Sequence, residues 1–303
     1  MKAVDVARVQ RAAALSVVAT SIVVAVKLVA AWLSGSVSVL AEGLQSSVDI
    51  LMALLALLTV RYAAQPPDED HPYGHGKAEL LAGAFQMILM LGSAIFILVE
   101  CYHRWLKPEP IRWDWGAAAM AYTLVSNILV SISLRRVARE TNSAVLASEV
   151  MHLRGDTLSS AGVLVGLTIF ALTGQLWVDP LVAALFTVVA MVGAAQTLRS
   201  VLHPLMDGSL PSEERKKLEG VLDAHPKVRG YHNLRTRLSG SARVVELHVM
   251  LDDALSFVNA HETAERIEDE IRDSLGGNVV VSIHYEPYEA EIEHRRREHG
   301  ENV

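Results

Sequence analysis

The sequence predicts a membrane all-α bundle of six transmembrane helices followed by a smaller α+β domain. Of the 303 residues, 51% are hydrophobic, and the mean hydropathy of +0.29 argues against an ordinary soluble enzyme and excludes a disordered chain. Six apolar stretches, at 12–33, 38–62, 80–104, 113–134, 143–173 and 178–200, each reach the roughly 20 residues that a bilayer core of about 30 Å requires. Charge divides unevenly: residues 1–205 hold 14 Lys and Arg against 14 Asp and Glu, whereas residues 206–303 hold 13 against 20. The net charge of −7 therefore belongs to the last part of the chain, and the expected domains are 1–208, 209–287 and a charged tail at 288–303.

The first apolar stretch is too long for a cleavable signal peptide and is expected to remain as helix one. Orientation follows from the basic residues of the short loops. Lys2, Arg8, Arg11, Arg61, Lys77, Arg135, Arg136, Arg139 and Arg199 fall on one side, against Arg104, Lys107 and Arg112 on the other. Both termini are therefore expected in the cytoplasm. Trp32, Trp105, Trp113, Trp115 and Trp177 fall near helix ends on the opposite side and read as an interfacial belt. With no organellar targeting segment ahead of helix one, the inner or plasma membrane is the expected location.

Ionisable side chains within a span normally face a cavity, a partner or water, which makes them functional candidates. The second stretch contains Glu42, Gln45 and Asp49, and the fifth contains Glu149, His152, Arg154 and Asp156. Gln45 and Asp49 are four apart and share a helix face, as do His152 and Asp156. The two helices run in opposite directions, so side-by-side packing levels Asp49 with His152 and Gln45 with Asp156. Two carboxylates, one imidazole and one amide oxygen then form a plausible four-coordinate site for a borderline divalent ion. The same residues could instead pair among themselves to join helices. Arg154 is expected to snorkel or to meet another helix, and Lys27 and Asn127 either pack helices or line a pathway. The single Cys101 leaves no cysteine-based zinc site, so any metal must use His, Asp and Glu.

Beyond residue 209 the signals alternate between helix and strand. Ser212, Glu213 and Glu214 start a helix with the stripe Leu218, Val221, Leu222. Strands at 231–238 and 243–251 flank a turn at Ser239 to Ala242. Ser256 caps a second helix, amphipathic through Val258, Ala264, Ile267 and Ile271, and a last strand runs over 279–286. The sum is a ferredoxin-like αββαβ domain. Period-two alternation puts Glu246 with His248, and His284 with Glu286, on polar faces opposite Val245, Leu247 and Val249. His232 and His261 are further contributors. In the loop after the second stretch, His71 and His75 lie four apart beside acidic residues, which suits either a metal or a plain loop.

These residues together make the chain resemble the cation diffusion facilitators, a family of proton-coupled divalent-metal exporters. The motifs are H-x-x-x-D at His152 and Asp156, D-E-D-H-P-Y-G-H-G-K-A-E from Asp68 to Glu79, H-P-L-M-D from His203 to Asp207, R-T-R-L-S-G from Arg235 to Gly240, and I-H-Y-E-P from Ile283 to Pro287. The resemblance implies a transport site at Gln45, Asp49, His152 and Asp156, and a second site at Asp68, His71 and His75. It also implies a charge pair between Lys77 and Asp207, and a cytoplasmic metal site at a subunit interface formed from His232, His248, His261, His284 and Glu286. Gln45 departs from the Asp or His of the zinc and iron members.

The expected function is export of a divalent transition metal from the cytoplasm by a homodimer in the lipid bilayer, in exchange for protons. Zinc (Zn2+) leads and iron(II) (Fe2+) follows, with Co2+, Cd2+, Ni2+ and Mn2+ open. The alternative is a membrane metal sensor or scaffold that does not transport. Nucleic acid is not an expected partner of so acidic a domain. An enzyme lacks support, because no nucleophile set, phosphate loop or cofactor fingerprint occurs.

Overall fold

The computed structural model describes residues 3–141, 144–240, 242–290 and 292. The elements are α1 (Ala3–Ser34), α2 (Val37–Ala63), α3 (Lys77–Leu106), α4 (Trp113–Thr141), α5 (Ala144–Thr173), α6 (Val178–Leu205), α7 (Ser212–Ala224), β1 (Val228–Ser239), β2 (Ala242–Leu251), α8 (Phe257–Leu275) and β3 (Val279–Pro287). The six apolar stretches are therefore helices throughout their described residues. Among these residues, five helices are long and apolar enough to cross a membrane: Ala14–Ser34 within α1, α3, Trp113–Glu140 of α4, Glu149–Thr173 of α5, and α6. The expected second span corresponds to α2, whose chemistry-bearing residues Glu42, Gln45, Ser46, Ser47 and Asp49 lie in its first half.

The chain divides into two compact units, Met1–Ala56 with Phe85–Leu198, and Leu57–Ala84 with Arg199–Val303. In the first unit, α4 packs against both α1 and α5. One apolar cluster joins Ala30, Val39, Met120, Val163 and Leu167, and a second joins Ala12, Leu134, Leu146, Val150 and Leu153. Small residues let the helices approach, as lipid-embedded helices require. A Cβ on Gly162 of α5 would lie 2.1 Å from the Phe186 ring of α6. Large apolar side chains such as Leu58, Leu158, Leu172 and Val189 are exposed on the outside. All five tryptophans are exposed too, and they sit at the C-terminal ends of α1 and α3 and at the N-terminal ends of α4 and α6.

The N-terminal end of α2 is closed by a residue that no sequence signal flagged. Asp179 of α6 is 3% exposed. It accepts hydrogen bonds from Val37 N at 2.7 Å, from Ser36 Oγ at 2.6 Å and from the Ser38 hydroxyl. The first N–H groups of a helix have no intrahelical partner, and here they find one on another helix.

The second unit carries the predicted αββαβ order. Its sheet runs β1-β2-β3, with β1 antiparallel and β3 parallel to β2. Central β2 alternates as expected, with Val245, Leu247 and Val249 at 0 to 2% exposure against Leu218, Leu222, Ile267 and Ile271. Helix α7 starts at Ser212 as expected, with Pro211 at its N-cap, and two other details differ from expectation. Ser256 does cap α8, accepting from Asn259 N at 3.3 Å. Val258, however, points outward, and Ala260 and Thr263 join Ala264, Ile267 and Ile271 on the buried face. Strand β1 begins three residues early at Val228 and bulges between His232 and Arg235, where Asn233 takes a φ of 51°. Of the expected tail, Tyr288–Ala290 are helical, and 291 and 293–303 lie outside the described residues.

Candidate metal centres

In the first unit, His152 Nε2 lies 3.8 Å from Asp49 Oδ2 and 3.7 Å from Asp156 Oδ2. The side chain of His152 is 46% exposed and each aspartate 18%. Asp156 and His152 share a face of α5 because they are four apart, and Asp49 meets His152 from α2. These separations exceed a hydrogen bond. They are close to those between ligands that share one ion at about 2.0–2.2 Å, which lie near 3.5 Å in a tetrahedral shell.

Gln45 lines a neighbouring cavity with Glu42, Ser38, Met90, Ser159 and Thr187. Sequence reasoning missed Gln86 of α3, whose side-chain amide faces the Asp49 carboxylate. Its only signal was a lone amide within an apolar run. Glu149, by contrast, is engaged elsewhere, accepting from Ser16 Oγ at 2.8 Å. Arg154 is exposed and contacts Met151 Sδ at 3.9 Å, in keeping with a cation that reaches outward.

Among the described residues, the second unit holds two groups whose ligand atoms all lie within 4.8 Å of one another. The first is Asp68, His71 and His75. Pro66 and Pro67 end the helical run, and Asp68 Oδ1 then accepts from His71 N at 2.6 Å to form a tight turn. His71 Nδ1 stands 3.4 Å from Asp68 Oδ1, and His75 Nε2 stands 3.3 Å from Asp68 Oδ2. The backbone N–H of His71 holds the Asp68 carboxyl below the usual aspartate range, with the two imidazoles adding to the effect. His75 is buried against the edge of Tyr62, and its Nδ1 has no hydrogen-bond partner among the described residues. A buried imidazole aimed at a carboxylate suits a cation.

The loop that carries these ligands is tied to the β1–β2 hairpin. Gly76 and Gly240 touch backbone to backbone, and Ser239 Oγ donates to the Tyr73 carbonyl at 3.3 Å. Arg237 stacks over Tyr73 at 4.5 Å. Lys77 Nζ donates to Asp207 Oδ1 at 2.8 Å, and Arg237 lies 3.6 Å from the same oxygen.

The second group is His232, His248 and Glu286, one residue from each strand. Register sets it up, since His232 pairs with His248 and His248 with His284, and Glu286 lies two residues beyond His284 on the same side of β3. His232 Nε2 donates to Glu286 Oε2 and His248 Nδ1 to Glu286 Oε1, each at 2.8 Å. Burial pushes the Glu286 carboxyl up, but the two histidine hydrogen bonds outweigh it and leave it below the usual glutamate range. His284 stacks on His248 at 4.7 Å and reaches to 3.4 Å from Glu286, at the exposed rim of the group. His261, expected as a fifth member, sits instead in the first turns of α8, paired with Glu265 at 3.4 Å. It is not among the residues brought together here.

The sequence matches two family models along nearly its whole length, the cation efflux transmembrane domain over residues 13–206 and the cation efflux protein cytoplasmic domain over residues 210–288. It is 35% identical to the cation-efflux pump FieF of Cronobacter sakazakii, across 92% of this chain and 93% of that one. It is 36% identical to that of Serratia proteamaculans, across 93% and 94%. A solved metal-bound C-terminal domain of the CzcD transporter from Thermotoga maritima aligns at 28% identity with a TM-score of 0.24, covering 25% of this chain and 87% of that domain. By these full-length matches the protein is an integral membrane transporter of metal cations and no enzyme, and the chain belongs to the cation diffusion facilitator family.

Proposed function

We propose that this protein exports divalent transition-metal ions from the cytoplasm in exchange for protons, using Asp49, His152 and Asp156 as the transport site. The observation that carries the reading is His152 within 4 Å of carboxylates from two different helices, inside a bundle of apolar helices. All three ligands bind metal only when deprotonated, so loading a cation releases protons and reprotonation releases the cation. Alternating access then carries the coupled exchange. An imidazole disfavours magnesium and calcium, which take all-oxygen shells, and the lack of thiolate disfavours copper(I). Zinc leads and iron(II) follows, with cobalt, nickel, cadmium and manganese behind.

Gln45 serves as a weak amide-oxygen ligand or leaves its place to water. Gln45→Asp should then change the competition profile across these metals, and an unchanged profile would remove Gln45 from contact with the ion. The groups Asp68–His71–His75 and His232–His248–Glu286, with His284 at its rim, bind further cations, and His261 joins only across a subunit interface. The match to the family's cytoplasmic domain supports a homodimer, and the inner or plasma membrane is its proposed location. The loop charges support cytoplasmic termini.

The test is zinc and iron(II) flux in sealed proteoliposomes under an imposed pH gradient, comparing wild type with Asp49→Ala. Flux that follows the proton gradient and vanishes in the variant supports the reading. Binding without flux of any of these metals would instead favour a non-transporting sensor.

A further inference from the structure

Lys27 is one of the most deeply buried side chains, at 1% exposure. Its Nζ donates to Glu42 Oε2 at 2.7 Å and to Ser46 Oγ at 3.0 Å. Glu42 is 6% exposed. It also accepts from Ser160 Oγ at 2.9 Å on Oε2, and from the Ser159 hydroxyl on Oε1. One carboxylate of α2 thus fastens α1 through Lys27 and α5 through two serines.

The position of this knot relative to the transport ligands is specific. Asp49 on α2 faces His152 on α5, and Glu42 on α2 faces Ser159 on α5. Two contacts whose numbers fall on one helix as they rise on the other mark antiparallel neighbours. Glu42–Ser159 and Asp49–His152 are therefore successive rungs between the same two helices, seven residues or about 10 Å apart at 1.5 Å per residue.

Asp49 and His152 stand 3.8 Å apart, too far for a hydrogen bond. The ligands do not themselves tie α2 to α5, and the knot one rung away does. A buried ion pair is a poor source of net stability, because apolar residues of similar volume often serve as well. Its presence here calls for a role other than holding the bundle together.

We propose that Lys27, Glu42, Ser159 and Ser160 form a positioning clamp that fixes the α2–α5 spacing at the transport site and so sets its affinity and selectivity for the divalent cation. This rests on reading Asp49, His152 and Asp156 as the transport site. Metal–ligand bonds tolerate only a few tenths of an ångström, so a loosened clamp weakens binding before it weakens folding. With Gln45 in place of a charged ligand, no third carboxylate compensates.

The experiment measures zinc KM, kcat and competition by iron(II), cobalt and manganese in proteoliposomes. It uses the neutral double variant Lys27→Met/Glu42→Gln and the hydroxyl variant Ser159→Ala/Ser160→Ala, with thermal melting recorded for each. The expected result is a KM raised about tenfold, equivalent to about 1.4 kcal/mol of binding, with a flattened competition profile, kcat reduced less than KM is raised, and melting near wild type. A Ser159→Ala/Ser160→Ala protein with wild-type KM and competition overturns the clamp, and that variant decides alone if the double variant does not fold. Asp49→Ala, run in parallel, separates the two readings. If it keeps full flux, the transport-site reading fails and takes the clamp with it. If it abolishes flux while the serine variant matches wild type, only the clamp fails.

Discussion

Asp179 of α6 and Val37 of α2 are joined by a hydrogen bond of 2.7 Å from the Val37 backbone N–H to the Asp179 carboxylate, so one helix caps another. The carboxylate is buried and opposes the positive end of the α2 dipole. Asp179→Ala leaves buried donors unpaired and should lower stability by about 1–3 kcal/mol. Asp179→Asn keeps one acceptor oxygen and should lose less. Thermal melting of the detergent-solubilised protein measures both, and equal melting temperatures for Ala and wild type would refute the cap.

Gly76 and Gly240 form a contact that no side chain can enter. A Cβ on Gly76 would stand 2.5 Å from the Gly240 Cα, and both partners are backbone. Gly76→Ala should push the β1–β2 hairpin off the loop at a loss of about 1–3 kcal/mol. Amide hydrogen exchange over residues 235–240 reads this directly, at about tenfold faster opening per 1.4 kcal/mol. Unchanged exchange would mean that the loop moves and the hairpin does not depend on it.

The two clusters of the second unit should bind cations independently. Asp68→Ala and Glu286→Ala each remove the carboxylate that two imidazoles face. Each is expected to lower the zinc bound per chain by one, and the double variant by two. Elemental analysis after desalting gives the number, and an unchanged stoichiometry in either single variant would show that its histidines hold no ion.

One pH dependence has a clear sign. Arg243 donates from Nε and Nη2 to the two oxygens of Glu214, each at 2.9 Å, and these bonds hold the Glu214 carboxyl below the usual glutamate range. A depressed carboxyl contributes in full above its unfolded value of about 4.3 and loses the contribution as pH falls through the lowered folded value. The pair is partly exposed, so its worth is at most about 1 kcal/mol. The melting gap between wild type and Glu214→Gln should be present at neutral pH and close below about pH 4. A gap that persists in acid would assign the effect to packing.

Most of the fold was legible because its signals are local. Apolar runs announce spans, and period-two alternation places Val245, Leu247 and Val249 inside and His248 outside. His152 and Asp156 were legible as a pair because i, i+4 spacing fixes a helix face, and Asp49 because antiparallel helices bring its level to theirs. What escaped depends on pairings between helices distant in sequence. Nothing in Ser159, Ser160 or Asp179 marks them as partners of Glu42 and Val37, since a serine in a span and an aspartate at a helix start are each ordinary. Val258 misled because it lies two residues short of Ala260, where the stripe through Ala264, Ile267 and Ile271 begins, and the small Ala260 and Thr263 fill the face that a large apolar residue was expected to fill. His261 shares a residue type with its expected partners but not a strand, and strand register is what gathered the others.

The burial of Lys27 also bears on how the chain enters the bilayer. A lysine near the middle of a lone span disfavours insertion by about 2.5–3.5 kcal/mol, and its counter-charge, Glu42, lies 15 residues further along on the next helix. Only Gly35 and Ser36 separate α1 from α2. During synthesis the first helix gains its neutralising partner when the second has emerged, so the pair should partition into lipid together as a helical hairpin. A nascent chain truncated after residue 36 should insert poorly, and Lys27→Leu should restore its insertion without α2. Efficient insertion of the unaltered short chain would show that the lysine reaches an interface on its own.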